Sequence, residues 1–355
     1  MKTRFALQPG AGEALGAAML FGAGTPLAKL LLVDTSPWLL AGLLYLGSGL
    51  GLTLWRLLRP TRQRARLAPS EWPWLAGAVL AGGVLAPVLL MWGLARMPAS
   101  GAALLLNAEG VFTALIAWVV FRENVDRRIF IGMLAIVAGA VVLSWPGEAR
   151  FGDALPALAV LGACLAWGID NNLTRKVSLA DAVWLASVKG LAAGATNLAL
   201  ALALGAAWPP LPSLGGALAV GLAAYGVSLV LFVVALRHLG TARTGAYFSV
   251  APFFGALLAV AALGESLTPG LLAAGALMAI GVWLHLSEQH MHDHLHGLLE
   301  HEHDHVHDDH HQHPHTHLHD APATPTTAHS HPHRHLPMRH HHAHFPDAHH
   351  QHGHG

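Results

Sequence analysis

Ten apolar runs, each long enough to cross a bilayer, follow one another through the first 288 of the 355 residues. They lie at about 13–33, 37–57, 73–95, 99–121, 128–146, 154–174, 182–206, 214–236, 241–263 and 268–286. A helix needs roughly 20 apolar residues to span the hydrocarbon of a membrane. Every backbone amide and carbonyl within a span must find a partner there, so only helices or a closed barrel can cross. Barrel strands alternate in polarity residue by residue, and these runs do not. Charge and turn clusters separate them, among them "RPTRQRARLAPSEWP" (59–73), "RENVDRR" (122–128) and "WPPLPS" (208–213). The pattern predicts an all-α integral membrane protein of ten transmembrane helices, with the lipid bilayer as its standing partner.

Charge supports this. Only 11% of residues are charged and 54% are hydrophobic, whereas a soluble domain carries about a quarter charged residues. Lys+Arg and Asp+Glu number 20 each, so no strongly acidic or basic partner is indicated. There is no basic stripe interleaved with aromatics and no zinc-finger spacing, so nucleic acid is not a partner. One cysteine, Cys164, cannot build a disulfide framework. No phosphate-cradling glycine loop followed by Lys and Ser or Thr occurs, so ATP drive is not indicated. The start, "MKTRFALQPG", is too polar and short for a cleaved signal peptide.

Basic residues in short loops orient membrane helices, because Lys and Arg stay on the cytoplasmic side. With the N-terminus inside, fourteen of them, from Lys2 to Arg243, fall on the cytoplasmic side. Arg96 and Arg150 alone fall outside. Both termini are therefore expected in the cytoplasm of a cell (inner) membrane protein.

The chain also echoes itself. "FTALIAWVVFRE" (112–123) aligns with "FGALLAVAALGE" (254–265) at an offset of 142. A weaker echo links "FGAGTPLAK" (21–29) to "WGIDNNLTR" (167–175). Five spans per half is an odd number, so the halves face opposite ways. The expected layout is a cytoplasmic N-terminus (1–12), a first repeat (13–146), a second inverted repeat (147–288) and a tail (289–355). Inverted repeats build transporters, with the substrate site near the midplane between the halves.

These features resemble the drug/metabolite transporter superfamily, specifically its EamA-type ten-helix members, over about residues 13–286. The motifs that carry the resemblance are Trp167 and Gly168 early in span 6, Lys29 in span 1, "APFFGALLAVAALGE" (251–265) with Pro252 and Glu265, and "FTALIAWVVFRE" ending in Glu123. One departure stands out. Gly110 occupies the place where the family usually has Pro, and "NAE" (107–109) precedes it. The resemblance implies a carrier that exports small metabolites rather than an enzyme, with no required cofactor.

Ionisable groups at bilayer depth cost on the order of 3 kcal/mol each when unpaired, so they are candidates for the transport pathway. Glu109 lies near the middle of span 4, remote from either end, and is the strongest such candidate, as a proton site or a cation ligand. Asp170, with Asn171 and Asn172 beside it, lies in the inner half of span 6. Lys29 and Lys189 either join these acids around a central cavity or snorkel to the interface. Asn107 and Asn197 suit interhelical hydrogen bonding. Glu123 and Glu265 suit capping of the next helix, since negative charge is favoured at a helix N-terminus.

Beyond residue 288 the chain changes character. All but two of the 28 histidines, His238 and His285, lie there. Low hydrophobicity and prolines predict a disordered cytoplasmic tail. Neutral imidazole ligates zinc, nickel, cobalt and copper. The expected ligands are His292, His294, His296, His301, His303, His305, His307, His310, His311, His313, His315, His317, His319, His329, His331, His333 and His335. Three functions stay open at this level: a metabolite exporter with a metal-binding regulatory tail, a Zn/Ni/Co exporter whose tail collects the ion, and a membrane-anchored metal sink that transports nothing.

Overall fold

The computed structural model describes residues 10–58, 67–120, 127–144, 154–177, 181–232, 234–235, 247–286, 291–296, 299–305, 329–335 and 338–343. Its body is a bundle of apolar helices. In chain order these are α1 (Ala11–Leu31), α2 (Pro37–Leu58), α3 (Pro69–Leu94), α4 (Ala99–Val119), α5 (Arg127–Ser144), α6 (Leu155–Arg175), α7 (Ala182–Ala203), α8 (Leu211–Phe232), α9 (Ala251–Leu263) and α10 (Pro269–Leu286). Among the described residues, six of them (α1–α4, α7 and α8) are both long and apolar enough to cross a membrane. Apolar stretches in α5, α9 and α10 are shorter, at 130–142, 251–263 and 269–284. The remaining helix, α6, has the length, but Asp170, Asn171, Asn172 and Arg175 crowd its C-terminal third. In α9 the expected run began at 241, and residues 241–246 lie outside the described segment.

The protein is a multi-pass membrane protein, and its surface fits that setting. Large apolar side chains such as Leu54, Leu57, Leu134, Leu272 and Trp283 stand on the outside of the bundle. Between helices in lipid there is little hydrophobic driving force, so close backbone approach does the work. The α5–α10 contact illustrates it. A methyl group on Gly139 would come within 3.0 Å of the Ala274 carbonyl oxygen, and one on Gly281 within 2.6 Å of the Gly132 carbonyl oxygen. Residues 132 and 274, and 139 and 281, are each 142 apart. On α2 and α7, a methyl on Gly190 would sit 2.7 Å from the Gly49 nitrogen.

Three of the helices are irregular, and the irregularities are spaced alike. Within α3, Val79–Leu85 is π-helical, and within α8, Gly221–Val227 is π-helical. The second segment begins and ends 142 positions after the first. The expected continuous span 4 is interrupted: α4 consists of Ala99–Leu105 and Ala108–Val119, with a turn at Leu106–Asn107. A comparable turn at Ser249–Val250 precedes α9.

Helix neighbours are exchanged between the two halves. α1 packs against α8 and α9, and α6 packs against α3 and α4. α2 packs against α7 and α8, and α7 against α2 and α3. The buried core that results is centred on Leu39, Leu40, Leu44, Leu90, Met91 and Leu105.

In the histidine-rich tail the structure has four strands: β1 (Met291–His296), β2 (Leu299–His305), β3 (His329–His335) and β4 (Met338–Ala343). β1 pairs antiparallel with β4, and β2 with β3. The expectation of a disordered tail falls mostly on residues outside these segments. The rest of the tail lies outside the described residues.

Candidate functional site

The turn in α4 creates the site. Pairing there tightens to three-residue spacing: Leu106 N–H donates to Ala103 O (3.2 Å), Asn107 N–H to Leu104 O (3.1 Å) and Glu109 N–H to Leu106 O (3.0 Å). The helix restarts at Ala108, which puts Glu109 in the first turn of a half-helix. The positive end of the half-helix dipole favours a carboxylate at that place. Glu109 opens onto a cleft of about 380 Å³ between α4 and α6, lined by Glu109, Gly110, Thr113, Ala114, Ala117, Asn171 and Asn172.

Two amides of α6 furnish the opposite wall. Asn171 Nδ2 donates to Glu109 Oε1 (2.8 Å) and to Thr113 Oγ1 (3.2 Å). Asn172 Nδ2 donates to the Thr113 carbonyl (3.1 Å) and the Gly168 carbonyl (2.8 Å). Gly168 lets the helices approach, since a methyl group there would lie 3.0 Å from Phe112 Cβ. Among the described residues, no cation pairs with Glu109. A carboxylate with one amide donor retains acceptor capacity for a proton or a positively charged group.

Behind the cleft lies a second polar cluster. Lys189 Nζ, on α7, donates to both oxygens of Asp170 (2.6 and 2.8 Å) and to Thr174 Oγ1 (3.1 Å). Thr174 Oγ1 also donates to Asp170 Oδ1 (2.7 Å). Asp170 presses on α3 at Gly82, where any side chain would overlap its carboxylate. The π-helical turn leaves the Gly82 carbonyl open to two side-chain donors, Tyr45 Oη (2.8 Å) and Trp167 Nε1 (3.0 Å). The next carbonyl, Gly83, accepts from Asn197 Nδ2 (2.9 Å). Widened turns of this kind concentrate at functional places in membrane and soluble helices alike.

The two acids and two bases expected to neutralise one another do so only in part. Asp170 and Lys189 pair; Glu109 and Lys29 join neither each other nor that pair. Lys29 Nζ instead donates to the carbonyls of Leu94 (2.6 Å) and Met97 (2.9 Å). Asp170 takes Lys189 as its partner, and the side chain of Arg175 lies outside the described residues.

Asn107 sits in the core, donating to Leu104 O (3.0 Å) and Met278 Sδ (3.8 Å), away from the cleft. Pro252 is buried in the first turn of α9. Glu265 does cap a helix, but not the next one: its two oxygens accept from Ala99 N–H (2.6 Å) and Ser100 N–H (2.9 Å) of α4. Glu123 lies outside the described residues, as do the side chains of all the tail histidines. Among the described residues there is no group of three or more potential metal-ligating side chains. Thr113, Thr174, Tyr45 and Gly82 were not legible as site residues, because each is an ordinary residue type in an apolar run and only the folded neighbours give it a role.

Comparison with known proteins adds a family to this geometry. The profile of the EamA-like transporter family matches residues 8–145 and, a second time, residues 154–287. An "Uncharacterized transporter" of Methanothermobacter thermautotrophicus is 30% identical over 289 residues, covering 76% of this chain and 83% of that protein. A "Probable 4-amino-4-deoxy-L-arabinose-phosphoundecaprenol flippase subunit ArnE" of Pseudomonas aeruginosa is 43% identical over 110 residues, covering 30% of this chain and 92% of its own length. A "Probable terminal-alkyne amino-acid exporter" of Streptantibioticus cattleyicolor is 28% identical, covering 63% of this chain and 74% of that protein. A crystal structure with TM-score 0.58 and 19% identity covers 78% of this chain and 96% of its own, and shares the fold.

Proposed function

The chain belongs to the EamA-like transporter family, and from that premise we propose that it is a secondary transporter exporting a small organic solute by alternating access, with Glu109 as its proton or cation site. The observation that carries this reading is a carboxylate in the middle of a membrane helix, at a break in that helix, without a cationic partner among the described residues. Broken helices that turn a half-helix terminus toward a cavity are a recurrent way to bind solutes and coupling ions in transporters.

We take the body of the protein as ten spans in two inverted five-helix repeats, with both termini cytoplasmic and the chain in the cell's inner membrane. Support comes from the double profile match, the π-helical turns and the Gly139/Gly281 contacts repeating at 142, and the fourteen-to-two distribution of loop Lys and Arg. A relative whose own length is close to that of one repeat fits the same picture. A solute bearing an amino group agrees with the printed names of two relatives and with an acidic cleft, and export agrees with the printed name of one of them. The wall of Asn171, Asn172 and Thr113 would orient the polar end of such a solute, and Ala114 and Ala117 would contact its apolar body.

We assign the tail a separate part: a cytoplasmic binder of Zn, Ni, Co or Cu that regulates rather than forms the pathway. A metal exporter would need ligands along the spans. The cleft has one carboxylate and amides, which suit hard or protonated partners better than these metals.

Reconstitution tests these assignments. Proteoliposomes holding the wild type, Glu109→Gln and a chain ending at Glu288 are assayed with labelled small amines, labelled amino acids, and zinc and nickel. The expected result is amine or amino-acid flux in the wild type and the shortened chain, and its loss in Glu109→Gln. Flux of zinc or nickel alone, abolished by Glu109→Gln, would replace this reading with the metal exporter.

A further inference from the structure

The connection between α3 and α4, "ARMPA" (95–99), contains a proline that leaves polar backbone groups unserved on both sides. Pro98 has no N–H, so the Leu94 carbonyl lacks the donor it would meet four residues on. Pro98 also has no side chain able to cap α4, whose first N–H groups have no partner within the helix. Two residues from elsewhere in the chain meet these needs. From the last turn of α1, Lys29 reaches the carbonyls of Leu94 and Met97. From beyond α9, Glu265 grips the N–H groups of Ala99 and Ser100, one with each oxygen. Gly264 makes this reach possible: its left-handed φ of 68° ends α9 and turns the chain toward α4.

We propose that Lys29 and Glu265 form a latch that holds this end of the bundle shut by clamping the α3–α4 connection between α1 and the α9–α10 connection. Four charge-assisted hydrogen bonds converge on the backbone of residues 94–100, and such bonds are roughly twice as strong as neutral ones. The latch joins the two halves, since Glu265 belongs to the second profile match and the segment it holds belongs to the first. Two turns farther into α1, that helix is in backbone contact with the opposite end of α9, with no room for any side chain on Gly22 against Ala251.

The Glu109 cleft lies farther along α4, past the turn at Leu106–Asn107. Lys29 and Glu265 are thus positioning residues: they touch no solute, and they set which end of the pathway is closed. Opening requires both side chains to release the connection. In the topology proposed above this is the outer end, so the structure is closed outward.

The inference rests on the alternating-access reading, but its test needs no transported solute and so succeeds or fails apart from the flux assay. In a Cys164→Ser background, spin labels are placed at Ala95 and Leu267, and separately at Val33 and Ala95, and distances are measured in lipid nanodiscs. Glu265→Gln keeps the shape but gives up one acceptor and the charge; Lys29→Met removes both bonds that the ammonium donates. Each is expected to raise a longer-distance population about tenfold or more relative to the parent, the equivalent of one charge-assisted hydrogen bond. Should either variant fail to fold, Glu265→Asp and Lys29→Arg, which keep charge but change reach, are read the same way. Distance distributions identical to the parent in folded variants of both residues would overturn the latch.

Discussion

The α4–α6 contact and the α9–α1 contact occupy corresponding places in the two halves, yet only one of them is polar. Where α4 has Glu109 and Gly110, α9 has Ala251 and Pro252, in each case 142 residues later. Where α6 has Asp170, Asn171 and Asn172, α1 has Gly24, Thr25 and Pro26. The polar contact holds a cleft and a network of amide, carboxylate and ammonium groups. The apolar one is closed by backbone approach. Even the small residues are exchanged: Asp170 presses on Gly82 in the first π-helical turn, whereas Gly24 meets Ala224 in the second, at 3.0 Å from a methyl placed on it. The lesson is that duplication supplies the frame, and divergence at four or five positions supplies the site.

The comparison breaks most sharply at the buried ion pair. Asp170→Asn leaves Lys189 inside the bundle with no counter-charge, and loss of one partner of a buried pair costs about 3–5 kcal/mol. Thermal unfolding in detergent should show a large drop for Asp170→Asn, and most of it should return in Asp170→Asn with Lys189→Met. If the double variant is no better than the single one, the pair is not the reason.

Next in size is Glu109. Glu109→Gln should lower solute flux about a hundredfold, on the order of one charged contact in a low-dielectric site, while leaving the unfolding temperature close to the parent's. The mirror change, Ala251→Gln, should affect packing without abolishing flux.

Gly82→Ala tests the exchange of small residues. Forcing a methyl group against Asp170 should cost about 1–3 kcal/mol of stability, visible as a lower unfolding temperature. Ala224→Gly, its counterpart, should change stability by less.

The smallest effects separate the two contacts most finely. Asn171→Ala should reduce flux about tenfold by freeing Glu109 and Thr113 of their donor. Thr25→Val, at the corresponding position of α1, should alter flux less than threefold, because no described hydrogen bond ends on its hydroxyl. Equal losses in the two variants would mean that both contacts line the pathway.

Much of the frame could be read before folding. Length and apolarity mark membrane helices because lipid leaves the backbone no other partner. The spacing of 142 could be read from two twelve-residue segments, and the depth of Glu109 from its distance to either end of its run. Other features could not. A turn at Leu106–Asn107 leaves no mark in an apolar run containing one asparagine. The capping role of an interfacial glutamate was legible at Glu265, but its target was not, because α4 begins 166 residues earlier in the chain than the carboxylate that caps it.

By itself, the order of residues determined that this chain is a bundle of lipid-crossing helices built twice over, since hydropathy and repetition are local or periodic properties. Only the tertiary structure decided which polar groups meet: Asn171 with Glu109, Lys189 with Asp170, Lys29 and Glu265 with the backbone beside Pro98. A buried polar atom must find a partner wherever the packing brings one, and in a bundle whose helices exchange neighbours between halves that partner is seldom near in sequence.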